Sequence, residues 1–395
     1  MLTMEKPVSV SLQRGFPQAE FEQRTSRVQA AMHQARLDAL LVTTEPEVRY
    51  FSGFHTQFFE SPTRPWFVVV PLEGKPIAVI PEIGLAGMQA TWLDSIHTWP
   101  SPQPGDDGIS LLTSVLNALP TRFGQLGLPL GPESVLRMPV ADVNTLTDAV
   151  SLEVADCAQM LLSLRFIKST AEIEKVRRAC EITSEAFAAL AQNMAVGDTE
   201  IEISRRLRID LLQRGADSTP FLVAGSGPGG YDSIIMGPTE KRLASGDVLI
   251  IDTGTVYDGY FCDFDRNFAF GQLAEDAHRA NEALYRATDA GFATARPGVP
   301  MSEVWSAMWA VLEAGGALGN SVGRMGHGLG MQLTEWPSIR PDDYTVLEAG
   351  AVITLEPGMT FAPGRQLVHE ENIVITQDGA EYLTHRASPE MPVVS

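Results

Sequence analysis

The chain has 395 residues, 44% hydrophobic and 20% charged, which is long enough for two domains that each bury a core. A formal net charge of −20 argues against nucleic acid or an anionic membrane surface as partner, and no apolar run reaches transmembrane length. Cys157, Cys180 and Cys262 lack CxxC spacing and MLTMEKPVSVSLQRGF has no apolar core, so the sequence predicts reduced thiols and a cytoplasmic protein.

Pro17 to Arg36 predicts an amphipathic helix, with Phe21, Val28 and Met32 spaced for one face. Leu37 to Thr43 reads as a buried strand and Glu47 to Gly53 as a short helix or loop. Two more strands, Trp66–Pro71 and Pro76–Pro81, flank the turn Glu73-Gly74-Lys75. This alternation predicts an α/β (α+β) fold with an N-terminal mixed-sheet domain over residues 1–156 and a second domain over 157–395. The loop Phe58-Phe-Glu-Ser-Pro-Thr-Arg64-Pro-Trp66 is aromatic and basic. It is read as packing locally or as contacting a ligand, with Arg64 suited to hold a substrate carboxylate and Trp66 beside it.

Helical patterns follow from Ala158 to Met194, where Ser169 or Thr170 is a candidate N-cap, and from Thr199 to Arg214. The glycine-rich Ala224–Tyr231 precedes no helical pattern, so it reads as a flexible loop near the site and not as a nucleotide cradle. Ala274–Ala295 and Met301–Gly315 predict two further helices. In the second, Trp305 and Trp309 at four-residue spacing read as core.

Two stretches of this second half share one layout. Gly246 stands six residues before Asp252 with an apolar run between, and a strand carrying Asp263 and Asp265 follows the turn Asp258-Gly259. Gly350 stands six residues before Glu356, and a strand carrying Glu370 and Glu371 follows the turns at Pro357-Gly358 and Pro363-Gly364. This is an internal repeat of acid-bearing hairpins. Buried carboxylates without partners cost several kcal/mol or more, so they require cations. Four of them in pairs suit a two-cation, oxygen-rich site. Between the hairpins lies Gly326-His327-Gly328-Leu329-Gly330, whose glycines permit close backbone approach around His327. Imidazole with carboxylates suits Mn, Fe, Co or Zn better than Ca. Asp263 and Asp265 share strand parity, whereas Glu370 and Glu371 have opposite parity, so only one of the latter faces inward.

Asp252-Thr-Gly, Asp263-Phe-Asp-Arg266, Gly326-His327-Gly-Leu-Gly, Leu355-Glu356-Pro-Gly and Glu370-Glu-Asn-Ile-Val-Ile-Thr376, in this order, resemble the creatinase/aminopeptidase P/prolidase family. The resemblance runs from about Leu164 to the C-terminus. It implies a C-terminal pita-bread domain with a pseudo-twofold α–β repeat, preceded by a creatinase-type domain. It implies two divalent cations, manganese among the candidates, with Asp252, Asp263, His327, Glu356 and Glu370 as ligands. The family pattern selects Asp263 over Asp265, three residues before Arg266, and Glu370 over Glu371, six before Thr376. The resemblance further implies a homodimer and a metal-dependent hydrolase of C–N bonds, an Xaa-Pro aminopeptidase or dipeptidase acting on short peptides. In such a site the cations lower the pKa of water, and Glu356 is placed to relay the proton.

The family's peptidases carry further histidines that this chain lacks. Thr334 stands where one follows the ligand histidine, in a run reading Thr334-Glu335-Trp336-Pro337. Met236 stands where another precedes the first hairpin, and Gly323 replaces a third. Thr334 and Glu335 would then shape the pocket, and His55 or His369 could fill the gap. Losing such donors costs about 10²–10³ in rate. The departure keeps open a small-molecule substrate, as in the family's creatinases, ectoine hydrolases and dimethylsulfoniopropionate lyase.

Overall fold

A computed structural model describes residues 13–319 and 323–394. The chain divides into two compact units, Met1–Leu164 and Arg165–Ser395.

In the first unit, α1 (Gln18–Ala35) buries Phe21, Val28 and Met32, the face its spacing predicts. It ends at Arg36, which is left-handed at φ 60° and donates its N–H back to His33 O. Then come β1 (Ala39–Val42), α2 (Glu45–Ser52), β2 (Phe67–Pro71), β3 (Ile77–Pro81), α3 (Leu85–Gln89), β4 (Ser95–Trp99), α4 (Ile109–Asn117), β5 (Gln125–Leu128), α5 (Val140–Ala149) and β6 (Glu153–Asp156). The six strands form one mixed sheet in the order β4-β3-β2-β1-β5-β6. Every residue of β1 and β2 is buried, which is why both read as unbroken apolar runs and not as alternating ones.

The division between units falls within α6 (Ala158–Phe166). In the second unit, α7 (Thr170–Leu190) and α8 (Glu200–Gln213) each start with a capping box, Ser169 with Glu172 and Thr199 with Glu202. β7 (Ser218–Pro228), β8 (Asp247–Tyr257), β9 (Tyr260–Phe261) and β10 (Phe264–Phe270) follow, then α9 (Glu275–Thr294) and α10 (Met301–Ala314). The chain continues through β11 (His327–Gly328), β12 (Glu335–Ser338), β13 (Val352–Leu355), β14 (Gly358–Ala362), β15 (Arg365–Val368), β16 (Glu371–Ile375), β17 (Ala380–Tyr382) and β18 (Val393–Val394). One sheet runs β18-β10-β8-β7 with β9 beside β8, a second runs β12-β11-β13-β16-β17, and β14 pairs with β15.

The repeat is physical: two helices precede β8 and β10, and two more precede β13 and β16, each strand pair antiparallel. The second pair is interrupted by the β14–β15 hairpin. α9, α10, β13 and β16 share one core through Leu284, Met308, Ile353 and Ile373. Trp305 and Trp309 stack with ring centroids 5.7 Å apart and are only partly buried against it.

The expectation of a flexible loop at Ala224–Tyr231 is corrected, because Ala224 to Pro228 lie within β7 and pair with β8. The glycines there serve close packing: a Cβ on Gly227 would lie 2.2 Å from Gly230 O.

Candidate metal centre

Antiparallel pairing puts Asp252 of β8 directly opposite Asp265 of β10, and Asp263 follows the turn just before β10. In the second pair Leu355 lies opposite Glu371, so Glu356 and Glu370 stand just beyond the ladder's end. The two ends meet across a seam closed by side chains. The Asn372 Oδ1 accepts from Asp263 N at 3.0 Å, while its Nδ2 donates to Asp263 O. Asp265 Oδ1 accepts from Glu370 N at 2.7 Å. Tyr231 accepts from Val368 N at 2.7 Å and donates to Asn267 Oδ1 at 3.1 Å.

His327 enters from β11. A Cβ on Gly326, at φ 135°, would lie 2.2 Å from Thr354 O, so only glycine lets the strand seat there. The Nδ1–H of His327 donates to Gly328 O at 2.8 Å, which leaves the Nε2 lone pair pointing inward, 3.3 Å from Asp263 Oδ2. Ligand atoms of Asp263, His327 and Glu370 lie within 4.8 Å of one another, all three residues buried. Asp252 and Asp263 are within hydrogen-bonding reach, and Glu356 is close enough to act electrostatically on both and on Glu370.

Burial, then mutual repulsion, pushes the carboxyls of Asp252, Asp263 and Glu370 well above the usual range. Burial raises Glu356 as well, opposed by His327 and Arg324. Asp252 Oδ1, Asp263 Oδ1 and Glu370 Oε1 are buried without any hydrogen-bond partner. Three orphaned carboxylate oxygens beside an inward imidazole nitrogen are the donor set of a divalent cation site, and the residues present fit one.

The neighbouring acids differ. Glu371 points away from the cluster, to Arg266 Nη2 at 3.0 Å, Ala387 N at 2.9 Å and the Thr384 hydroxyl, and Arg266 above all holds its pKa low against burial. Asp265 is buried, its Oδ1 accepting from Glu370 N and its Oδ2 from Asn267 Nδ2 at 3.4 Å. Glu335 is not free for acid–base work either. Its carboxylate takes Arg165, Lys168 Nζ at 3.1 Å, Met331 N at 2.8 Å and Gln332 N at 3.2 Å, and against burial the Arg165 and Lys168 charges hold it at about 2. Thr334 is exposed, and its hydroxyl accepts from Arg324 Nη2 at 3.3 Å.

Two residues expected near substrate, Trp66 and His369, are buried against other side chains. Trp66 is 1% exposed inside the N-terminal unit, against Phe54 and Phe59, and burial leaves it no face for a ligand. His369 turns away from the cluster, as its parity relative to Glu370 requires. Its Nδ1 meets Thr288 Oγ1 at 2.9 Å, Arg386 lies 3.3 Å from Nε2, and burial lowers its pKa to about 3. His55, in the N-terminal unit, is exposed and pairs with Glu45 at 3.3 Å. Arg64, in the same unit, has φ 59° and lies over the Phe58 ring. Met236 is 60% exposed between β7 and β8, its carbonyl accepting from Ala224 N.

Sequence reasoning missed Arg324. It is the only lysine or arginine between Arg296 and Arg340, a signal available in the sequence. Its guanidinium donates to Ser338 Oγ and Thr334 Oγ1, each at 3.3 Å, and its charge acts on Asp263, His327 and Glu356.

A duplicated α/β unit closing on buried acids and one histidine defines the class of metal-dependent hydrolases with a pita-bread fold. The chain belongs to metallopeptidase family M24, whose model matches residues 174–378, and residues 24–167 match the creatinase/prolidase N-terminal domain. It is 29% identical over 380 residues to the probable dipeptidase PepE of Mycobacterium tuberculosis, covering 93% of this chain and 95% of that one. It is 31% identical over 231 residues to the Xaa-Pro dipeptidase of Pyrococcus furiosus, covering 57% and 65%. Among solved structures, dipeptidase PepE from Mycobacterium ulcerans superposes with a TM-score of 0.83 at 28% identity, over 96% of this chain and 99% of that one. Prolidase from Thermococcus sibiricus gives 0.84 at 22% identity, over 95% and 99%, a likeness of fold. Among the described residues no helix is long and apolar enough to cross a membrane.

Proposed function

We propose that this chain is a dinuclear-metal dipeptidase that hydrolyses the bond preceding proline in short Xaa-Pro peptides. The observation that carries the reading is the set of three orphaned carboxylate oxygens around the inward Nε2 of His327. Asp252, Asp263, His327, Glu356 and Glu370 would hold the two cations, drawn from Mn, Fe, Co or Zn. When bound, the cations supply an acidified water and polarise the scissile carbonyl. Glu356, among the residues that would hold the cations, would take the water proton and return it to the leaving nitrogen. Glu335, fixed by Arg165 and Lys168, braces the turn that carries Thr334. The relatives named dipeptidase support a short-peptide substrate, and the homodimer rests on the resemblance of the sequence motifs alone.

One observation favours a second reading, a small amide that is not a peptide. Thr334 and the exposed Met236 present no imidazole to a scissile group. The test of both is metal content per chain, followed by assay of the Mn, Co and Zn forms on Ala-Pro, a longer Xaa-Pro peptide and small amides. Two cations bound with cleavage of Ala-Pro is the expected result. Two cations bound with cleavage of small amides alone would select the second reading, and no binding of any cation would end both.

A further inference from the structure

Arg324 stands at a cluster of acids without pairing to one. Among the described residues no carboxylate lies within ion-pair distance of it, and its two partners are the neutral hydroxyls of Thr334 and Ser338. The basic side chains Arg266, Arg165 and Lys168 each pair with a carboxylate, Arg266 with Glu371 and the other two both with Glu335. Four carboxylates, those of Asp252, Asp263, Glu356 and Glu370, balance two divalent cations and leave no net charge. The half-buried guanidinium of Arg324 thus differs from those basic side chains in having hydroxyls, and among the described residues no carboxylate, for partners. Two hydroxyls that hold it in one orientation without neutralising it leave its remaining N–H groups for an anion.

Resting on the dipeptidase reading, we infer that Arg324, steadied by Thr334 and Ser338, binds the C-terminal carboxylate of the substrate. It thereby restricts the enzyme to substrates that end one residue beyond the scissile bond. Thr334 then has a positive role: where a histidine would occupy the space, a short hydroxyl admits the guanidinium. This assigns to Arg324 the carboxylate contact that the sequence suggested for Arg64.

The experiment compares Ala-Pro with its C-terminal amide on the metal-loaded enzyme. Wild type is expected to favour the free acid by about 10- to 100-fold in kcat/KM, the range of a charge-assisted hydrogen bond. Arg324→Gln loses that preference by losing the acid alone, Arg324→Lys recovers part of it, and Arg64→Ala keeps it. Should Arg324→Gln not fold, the Thr334→Val/Ser338→Ala pair, which frees the guanidinium, lowers the same ratio. Equal loss on acid and amide, or a preference abolished by Arg64→Ala instead, overturns the assignment while leaving the peptidase intact. Calorimetric binding of the same two ligands decides the matter even if neither is cleaved. Tighter binding of the acid that is lost in Arg324→Gln supports the assignment, and equal binding of acid and amide overturns it.

Discussion

Glu335 and the group Asp252, Asp263, Glu356 and Glu370 are all acids withdrawn from bulk water in the C-terminal unit, yet they are treated in opposite ways. Around Glu335 the protein supplies its own cations and N–H donors, and the carboxyl sits at about 2. Around Asp263 it supplies more acids, and the carboxyls of Asp252, Asp263 and Glu370 are forced well above their usual range. The first arrangement is complete as folded. The second is complete only with something from outside, which is how a fold marks a site as distinct from a brace.

The contrast breaks most visibly in activity. Asp263→Asn removes a charge from the incomplete group and is expected to lower kcat/KM on Ala-Pro by about 10²–10³-fold or more, with cations per chain falling in parallel. Full activity with normal metal content would show that the group is not the centre.

Stability should respond with opposite signs at the two places. Glu335→Ala strands Arg165 and Lys168 and is expected to cost about 3–5 kcal/mol in urea unfolding. Asp252→Asn, measured on chelated protein at pH 7, relieves repulsion and should gain about 1–3 kcal/mol. The sign follows from linkage. A carboxyl raised in the fold binds a proton there that the unfolded chain releases, so its contribution is present below the ordinary pKa near 3.8 and lost as pH rises. Loss of stability in chelated Asp252→Asn would erase the distinction drawn between the two groups.

The smallest effect belongs to His369. It is neutral in the fold with a pKa of about 3 against an ordinary 6.5, so its contribution is complete above 6.5 and lost as pH falls toward 3. His369→Gln should flatten the decline in melting temperature across that window. An unchanged slope would mean that other groups set it.

Much of the centre was legible because acids and a glycine-flanked histidine interrupt apolar runs at fixed spacing. Parity alone separated Glu370 from Glu371 as opposite faces, though not which one faced inward. Trp66 follows the local-packing alternative that the sequence left open, because its burial depends on Phe54 and Phe59 folding over it, which no spacing shows. Ala224–Pro228 was misread because glycines required by close strand packing look like slack. Arg324 and Asn372 escaped notice for a third reason. Arg324 matters through the hydroxyls that orient it, and Asn372 through a partner more than a hundred residues away, neither of which leaves a periodic trace.

Asn372 also has a mechanical consequence. Its amide meets the N–H and carbonyl of Asp263 as a neighbouring strand would, so with the Asp265–Glu370 and Arg266–Glu371 links it acts as a rung joining two sheets that share no ladder. The distance between the two halves of the centre is therefore fixed by the protein's own side chains instead of by whatever fills the gap. Emptying the centre should not let the halves drift. Chelated protein is expected to take cations back in one fast, concentration-dependent step with no slow phase of refolding, and stopped-flow mixing would read that step.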